Sequence, residues 1–145
     1  MSFGKGTRGA LGLGDDVTMQ DMPRAVGVIG KANGHPVSAI SCSTEHSAAV
    51  TGRGQVYVWG YGKYGRLGLG DERNHFKPAH MSTMSGNPVV SVKCGELFTA
   101  LLTTHGDCYT TGVVGTSAAG YALNPGTYLV PRPVEHLVGV KVASI

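Results

Sequence analysis

A chain of 145 residues with 12 basic and 9 acidic side chains, net +3 and scattered, lacks the basic stripe that a nucleic-acid footprint needs. Its 23 glycines, about twice the usual share, argue against helices, in which each interior glycine costs roughly 1 kcal/mol. No run approaches the roughly 18 apolar residues of a membrane span, and no charged-then-apolar start resembles a signal peptide.

The chain opens on a glycine-rich phrase, residues 3–15, that returns at residues 59–71 with a shift of 56. Of its 13 positions 8 are identical, and five of those are glycine. Pro23 comes next, the first of three prolines set 55 apart with Pro78 and Pro133, and a strand is expected after each. Residues 37–41, 47–51 and 55–59 are short runs rich in valine, threonine and aromatics bounded by turn residues, and they read as strands. Val56 and Val58 alternate with Tyr57 and Trp59, the period of two of a strand with two different faces. Gly52, Arg53 and Gly54 read as the hairpin turn between two of these runs.

The same block returns with a shift of 52. Val37 and Cys42 lie over Val89 and Cys94, His46 over Phe98, Trp59 over Thr111, and Gly54 over Gly106, with residues 104–106 as the second turn. The drift between 52 and 56 places small insertions in loops, where they are tolerated. No segment shows a sustained apolar stripe at helical spacing. The chain is expected to be all-β, built from units of about four strands. One such sheet cannot bury both faces alone, so it must stack on its neighbours.

The tempting chemical sites have structural readings. Gly60, Gly62 and Gly65 spell GxGxxG after a strand, but a phosphate cradle needs a helix to open after the third glycine. Residues 66–71 start no helix, and Gly4, Gly6 and Gly9 repeat the pattern, so a structural turn is expected. His46 is the best placed of the six histidines, yet Phe98 holds the matching place; space filling and a bond to a loop carbonyl are expected of it. His35, His75, His80, His105 and His136 show no metal-ligand spacing. Asp15 and Asp71 follow the glycine phrase and read as loop closers bonding backbone amides. Trp59 reads as an aromatic plug between sheets, or as an interface anchor if left partly exposed. Cys42, Cys94 and Cys108 lack CxxC spacing and read as small packing residues in a reducing, intracellular compartment. No cofactor, metal or catalytic set can be assembled.

The third unit breaks the pattern: residues 113–128 replace the expected glycine phrase. Departure from a repeat marks either the functional loop of a scaffold or the decay of a surface loop. Ser117, Tyr121, Asn124 and Tyr128 in this segment are the candidate partner-binding residues.

Taken together, residues 59–71, the proline, Val37 with Ile40 and Cys42, His46 with Ser47, and Gly54 with Val56, Tyr57, Trp59 and Gly60 resemble the regulator of chromosome condensation repeat. The resemblance runs through residue 112 and is degenerate from 113 to 128. It implies a β-propeller of four-stranded blades, usually seven to a ring, of which this chain holds about two and a half. Units of 1–58 (lacking a leading strand), 59–110 and 111–145 (degenerate and truncated) would form one propeller segment. Further repeats or other chains would close the ring.

Members of that family act as a nucleotide exchange factor for a small nuclear GTPase, as targeting modules of ubiquitin ligases, as ciliary regulators and as a plant light sensor. The light sensor's clustered tryptophans are absent, since Trp59 stands alone. The resemblance implies a non-enzymatic scaffold that binds a protein partner through its loops. The alternative is an exchange factor or regulator for a small GTPase. A basic patch assembled from several repeats is the one route open to nucleic acid or chromatin.

Overall fold

The computed structural model describes residues 1–15, 17–27, 29, 35–114 and 126–145. Its regular elements are strands β1 (Ser2–Lys5), β2 (Met19–Arg24), β3 (Val37–Cys42), β4 (His46–Thr51), β5 (Val56–Gly60), β6 (His75–His80), β7 (Val89–Cys94), β8 (Phe98–Thr103), β9 (Cys108–Val114) and β10 (Gly126–Pro133). Among the described residues there is no α-helix, only three-residue 3₁₀ turns such as Lys63–Gly65 and Ser82–Met84. The strands form antiparallel sheets in the orders β1-β2, β3-β4-β5-β6 and β10-β9-β8-β7. The four-stranded sheets are the blades of an incomplete propeller. Each draws its strands from two consecutive sequence units, since the sheet from Val37 to His80 straddles residue 58 and the next straddles residue 110.

The register repeats with the sequence. His46 pairs with Gly60 and Val50 with Val56 in one sheet, and Phe98 pairs with Gly112 and Leu102 with Cys108 in the next. Every residue of the two central strands β4 and β5 is buried, each covered on both faces, whereas the neighbouring β3 is largely exposed. Alternation sorts the side chains: Ala48, Val50, Val56 and Val58 pack with Val89, Val92 and Leu101 of the following sheet. Ala49, Tyr57 and Trp59 pack with Ile29 on the opposite face. Each valine at 0–1% exposure removes a side chain from water, worth roughly 1.5–3 kcal/mol.

The prolines differ from expectation. Pro23 and Pro78 lie inside β2 and β6, and Pro133 ends β10, so the strand contains the proline rather than following it. These are outer edge strands, where one side of the backbone has no ladder partner and a missing N–H is tolerated.

Cys42 also differs, being exposed while Cys94 is half-buried and Cys108 buried; all three thiols are free. Cys94 has β3 beside it, with its N–H donating to Ser41 Oγ at 2.9 Å and its thiol to the Ser41 carbonyl at 3.4 Å. Nothing among the described residues stands in that place for Cys42. Burial pushes the Cys94 thiol up to about 12, with a bond from its surroundings at Ser41 opposing.

Candidate functional site

The connections β1→β2, β3→β4, β5→β6 and β7→β8 all emerge at one end of the sheets, and the glycine phrases form two of them. Both copies take the same backbone path. Positive φ recurs at Gly12 and Gly68, at 68° and 67°. At Gly12 a Cβ would stand 2.8 Å from the Trp59 indole nitrogen; at Gly65, where φ is 67°, it would stand 2.7 Å from the Tyr128 carbonyl oxygen. Glycine is required there because the turn lies flat against the next sheet.

Hydrogen bonds from that next sheet hold each turn in place. The Ala10 carbonyl accepts from Ser47 Oγ at 3.0 Å and Trp59 Nε1 at 2.9 Å. One unit later Thr99 Oγ1 donates to the Arg66 carbonyl at 2.7 Å. The Thr111 hydroxyl shares its proton between the carbonyls of Gly65 at 2.9 Å and Tyr128 at 2.8 Å. Trp59 is thus both a plug, 6% exposed, and a clasp. The GxGxxG stretch is a sheet-to-sheet turn containing one 3₁₀ turn and no phosphate-binding helix.

His46 belongs to the same joint. It is fully buried, with Nδ1 2.8 Å from Ser43 Oγ and Nε2 2.8 Å from Thr99 Oγ1. The partners are two hydroxyls, not the loop carbonyl expected from sequence. Thr99 spends its proton on Arg66, so it accepts from His46, which places the imidazole proton on Nε2. Burial, helped by the Arg66 charge, lowers this histidine to about 4. It is neutral at physiological pH and structural.

Above the joint lies a rim of charged and aromatic side chains. Arg8 and Tyr64, 56 positions apart, share the left-handed backbone at φ 62° and 63°, rare for residues with a Cβ. The Tyr61 ring lies under the guanidinium of Arg8 at 4.2 Å and that of Arg66 at 4.8 Å; Lys63 Nζ lies 4.9 Å from the Tyr64 ring centre. Glu45 pairs with Arg8 and, at 3.1 Å, with Arg66 Nη1. Arg66 is only 1% exposed; its Nε donates to the Lys63 carbonyl at 3.0 Å and its Nη1 to the Glu96 carbonyl at 2.9 Å. It joins three loops of two sheets. The Arg8 side chain is 49% exposed and Tyr64 is 37% exposed, so the rim presents a cation and a phenol to solvent.

Asp71 closes its loop as expected, accepting from the Arg73 backbone N–H at 3.0 Å and from Arg73 Nε at 2.8 Å. Slight burial opposes its ionisation, but the Arg73 bonds and charge outweigh this and hold the carboxyl below its usual range. Among the described residues no cluster of three or more His, Cys, Asp or Glu could hold a metal ion. No helix among them is long and apolar enough to cross a membrane.

Of the partner-binding candidates, Ser117, Tyr121 and Asn124 lie outside the described residues, between β9 and β10. Tyr128 is half-buried in the outer strand β10, its ring 4.4 Å from the Arg132 guanidinium and its carbonyl in the Thr111 clasp. The residues that sequence reading missed are Arg8, Glu45, Tyr61, Tyr64 and Arg66. The available signal was substitution inside the repeated phrase, with arginine facing tyrosine at one position and Arg66 replacing Ala10.

The family model described as "Regulator of chromosome condensation (RCC1) repeat" matches residues 2–50 and 53–102, and a second of the same description matches 37–66. The chain is 33% identical over 144 residues to the probable E3 ubiquitin-protein ligase HERC3 of Homo sapiens. That match takes in 99% of this chain but 13% of the relative, so the chain spans a small part of that protein. Among solved structures it is similar to the crystal structure of Kap60 bound to yeast RCC1 (Prp20). The TM-score is 0.80 at 18% identity, over 91% of this chain and 32% of that one. A structure of Prp20p from Saccharomyces cerevisiae, described with its binding properties to Gsp1p and histones, gives 0.72 at 18% identity over 91% and 33%.

Proposed function

From a chain that belongs to the regulator of chromosome condensation repeat family, we propose a non-enzymatic interaction module that holds a protein partner on the rim carrying Arg8 and Tyr64. One observation carries the reading: both residues are held in a left-handed conformation that costs roughly 1–2 kcal/mol, on turns whose other positive-φ positions are glycine. Glycine would relieve that cost at either position, so the strain supports a role for the side chains. Arginine and tyrosine are also among the residue types enriched in interface anchors. The three free thiols fit a reducing, intracellular compartment.

Binding is tested by comparing the proteins retained by the immobilised chain and by a double Arg8→Ala, Tyr64→Ala variant. Partners lost from the variant but kept by an Arg53→Ala control on the opposite end support the rim; equal retention defeats it.

A second reading, an exchange factor or regulator for a small GTPase, is favoured by the likeness to yeast RCC1, although at 18% identity that likeness concerns the fold. Release of loaded nucleotide from a panel of small GTPases separates the two. No acceleration with any of them leaves the scaffold reading standing.

A further inference from the structure

The β4→β5 and β8→β9 turns, 52 residues apart, are built alike. Thr51 Oγ1 accepts from the Gln55 N–H at 3.3 Å, and Thr103 Oγ1 accepts from the Asp107 N–H at 3.1 Å. The Val89 N–H donates to the Gly54 carbonyl as the Val142 N–H does to that of Gly106, both at 3.0 Å. Gln55 and Asp107 therefore hold equivalent places, and so do Pro88 and Lys141, the residues before those valines.

At Asp107 the acceptor is served: Lys141 Nζ donates to its Oδ1 at 2.8 Å. At Gln55 it is not. Gln55 Oε1 is shut off from water and has no hydrogen-bond partner, and proline, which has no side-chain donor, stands where the lysine would. A buried acceptor without a donor is rare in a folded protein and points to a missing partner.

Gln55 lines a cavity of about 210 Å³ together with Arg53, Val56, Met81, Met84 and Ser85. That is smaller than the roughly 300–1,000 Å³ of small-molecule pockets and suits a single side chain. Val56, Met81 and Met84 are 1–5% exposed and give it an apolar wall. An ammonium suits the carboxylate of Asp107, but not a neutral amide with the Arg53 cation in the same lining. The donor missing at Gln55 is thus a neutral N–H. Arg53, exposed and equipped only with donors, calls for an acceptor. A primary carboxamide carries both groups.

We propose that this cavity binds the side-chain carboxamide of a glutamine on a partner protein. The partner's N–H donates to Gln55 Oε1, which rotation about the last torsion of Gln55, broad in this residue type, turns into the cavity. The partner's carbonyl accepts from the Arg53 guanidinium, and its two methylenes lie against Val56, Met81 and Met84. The site lies at the opposite end of the sheets from Arg8 and Tyr64 and stands independently of the rim.

The test is NMR of the full chain with isotope-labelled methionine methyls, titrated with N-acetylglutamine methylamide. The Met81 and Met84 methyl shifts are expected to move and saturate, while the leucine and lysine analogues bind roughly threefold to tenfold more weakly. Gln55→Leu removes the orphaned acceptor, so it should melt no lower than the parent while binding the glutamine compound roughly threefold to tenfold more weakly. Arg53→Ala alters an exposed residue and should weaken binding roughly tenfold without changing the melt. Methyl shifts that do not move overturn the proposal, as does glutamine binding that survives Gln55→Leu or Arg53→Ala. Leucine binding as tight as glutamine would make the cavity merely apolar, and tighter lysine binding would assign it a cation; either overturns it equally.

Discussion

His46 Nε2 meets the Thr99 hydroxyl at 2.8 Å across the boundary between two sheets, and that hydroxyl in turn donates a hydrogen bond to the Arg66 carbonyl at 2.7 Å. A side chain of β4, one of β8 and the backbone of the β5→β6 loop are thereby fixed in one chain of bonds. The relay works only with a neutral imidazole, because a second proton would land on Nδ1 against the bond that Ser43 donates there.

The sign of its pH dependence follows. His46 has an ordinary value of 6.5 and falls to about 4 in the fold. Between those values the unfolded chain binds the extra proton and the folded chain does not, so stability drops as pH falls from 6.5 towards 4. The full shift corresponds to about 3 kcal/mol, at 1.36 kcal/mol per unit. Thermal melts across this window should show the loss, and His46→Phe, which installs the residue found at position 98, should flatten that part of the profile. An unchanged slope in the variant would remove His46 as the cause.

Thr111 carries the second clasp. Its hydroxyl serves the carbonyls of Gly65 and Tyr128, and the residue is 0% exposed. Thr111→Val keeps the shape but leaves buried acceptors short of a donor, a loss of about 1–3 kcal/mol. Urea denaturation measures it. The same change at Thr110, whose buried hydroxyl has no hydrogen-bond partner, should be neutral or stabilising, since Val58 fills that place one unit earlier.

The contrast shows what the sequence makes legible. Glycines at fixed spacing announce a turn wherever backbone meets backbone, as Gly65 meets Tyr128, and the alternation of Val56 with Tyr57 announces two buried faces. Both are local patterns enforced by sterics and burial, so the scaffold could be read in advance. Exposure of Cys42 could not, because it depends on what covers β3 and not on β3 itself. The rim could not either: arginine at position 8 and tyrosine at position 64 look like ordinary turn variation until their φ angles are known. Glu45 and Arg66 are 21 residues apart in sequence, and the fold alone makes them a pair.

Arg66 is the costliest of these to lose. Removing its guanidinium leaves the carbonyls of Lys63 and Glu96 without their donors and Glu45 without a buried cation. A fully buried pair broken in this way loses about 3–5 kcal/mol. The Glu45 side chain remains 33% exposed and can turn to water, so Arg66→Met should lose less, about 2–3 kcal/mol. Lysine should rescue little, since one ammonium cannot reproduce the planar fork that spans three loops. Denaturation midpoints of the two variants, compared with the parent, decide this.

Tyr64 separates stability from binding. At φ 63° its backbone is strained, and its N–H donates to Glu72 Oε1 at 3.0 Å, a bond that any residue but proline retains. Tyr64→Gly therefore relieves about 1 kcal/mol of local strain, partly offset by the greater freedom glycine has in the unfolded chain. The variant should melt at or slightly above the parent temperature. Tyr64→Ala keeps the strain and loses the ring, so it should melt no higher than the glycine variant. If the rim holds the partner through this phenol, both variants lose affinity together although their stabilities differ. Full binding by Tyr64→Gly would instead mean that the left-handed turn serves the joint between sheets alone.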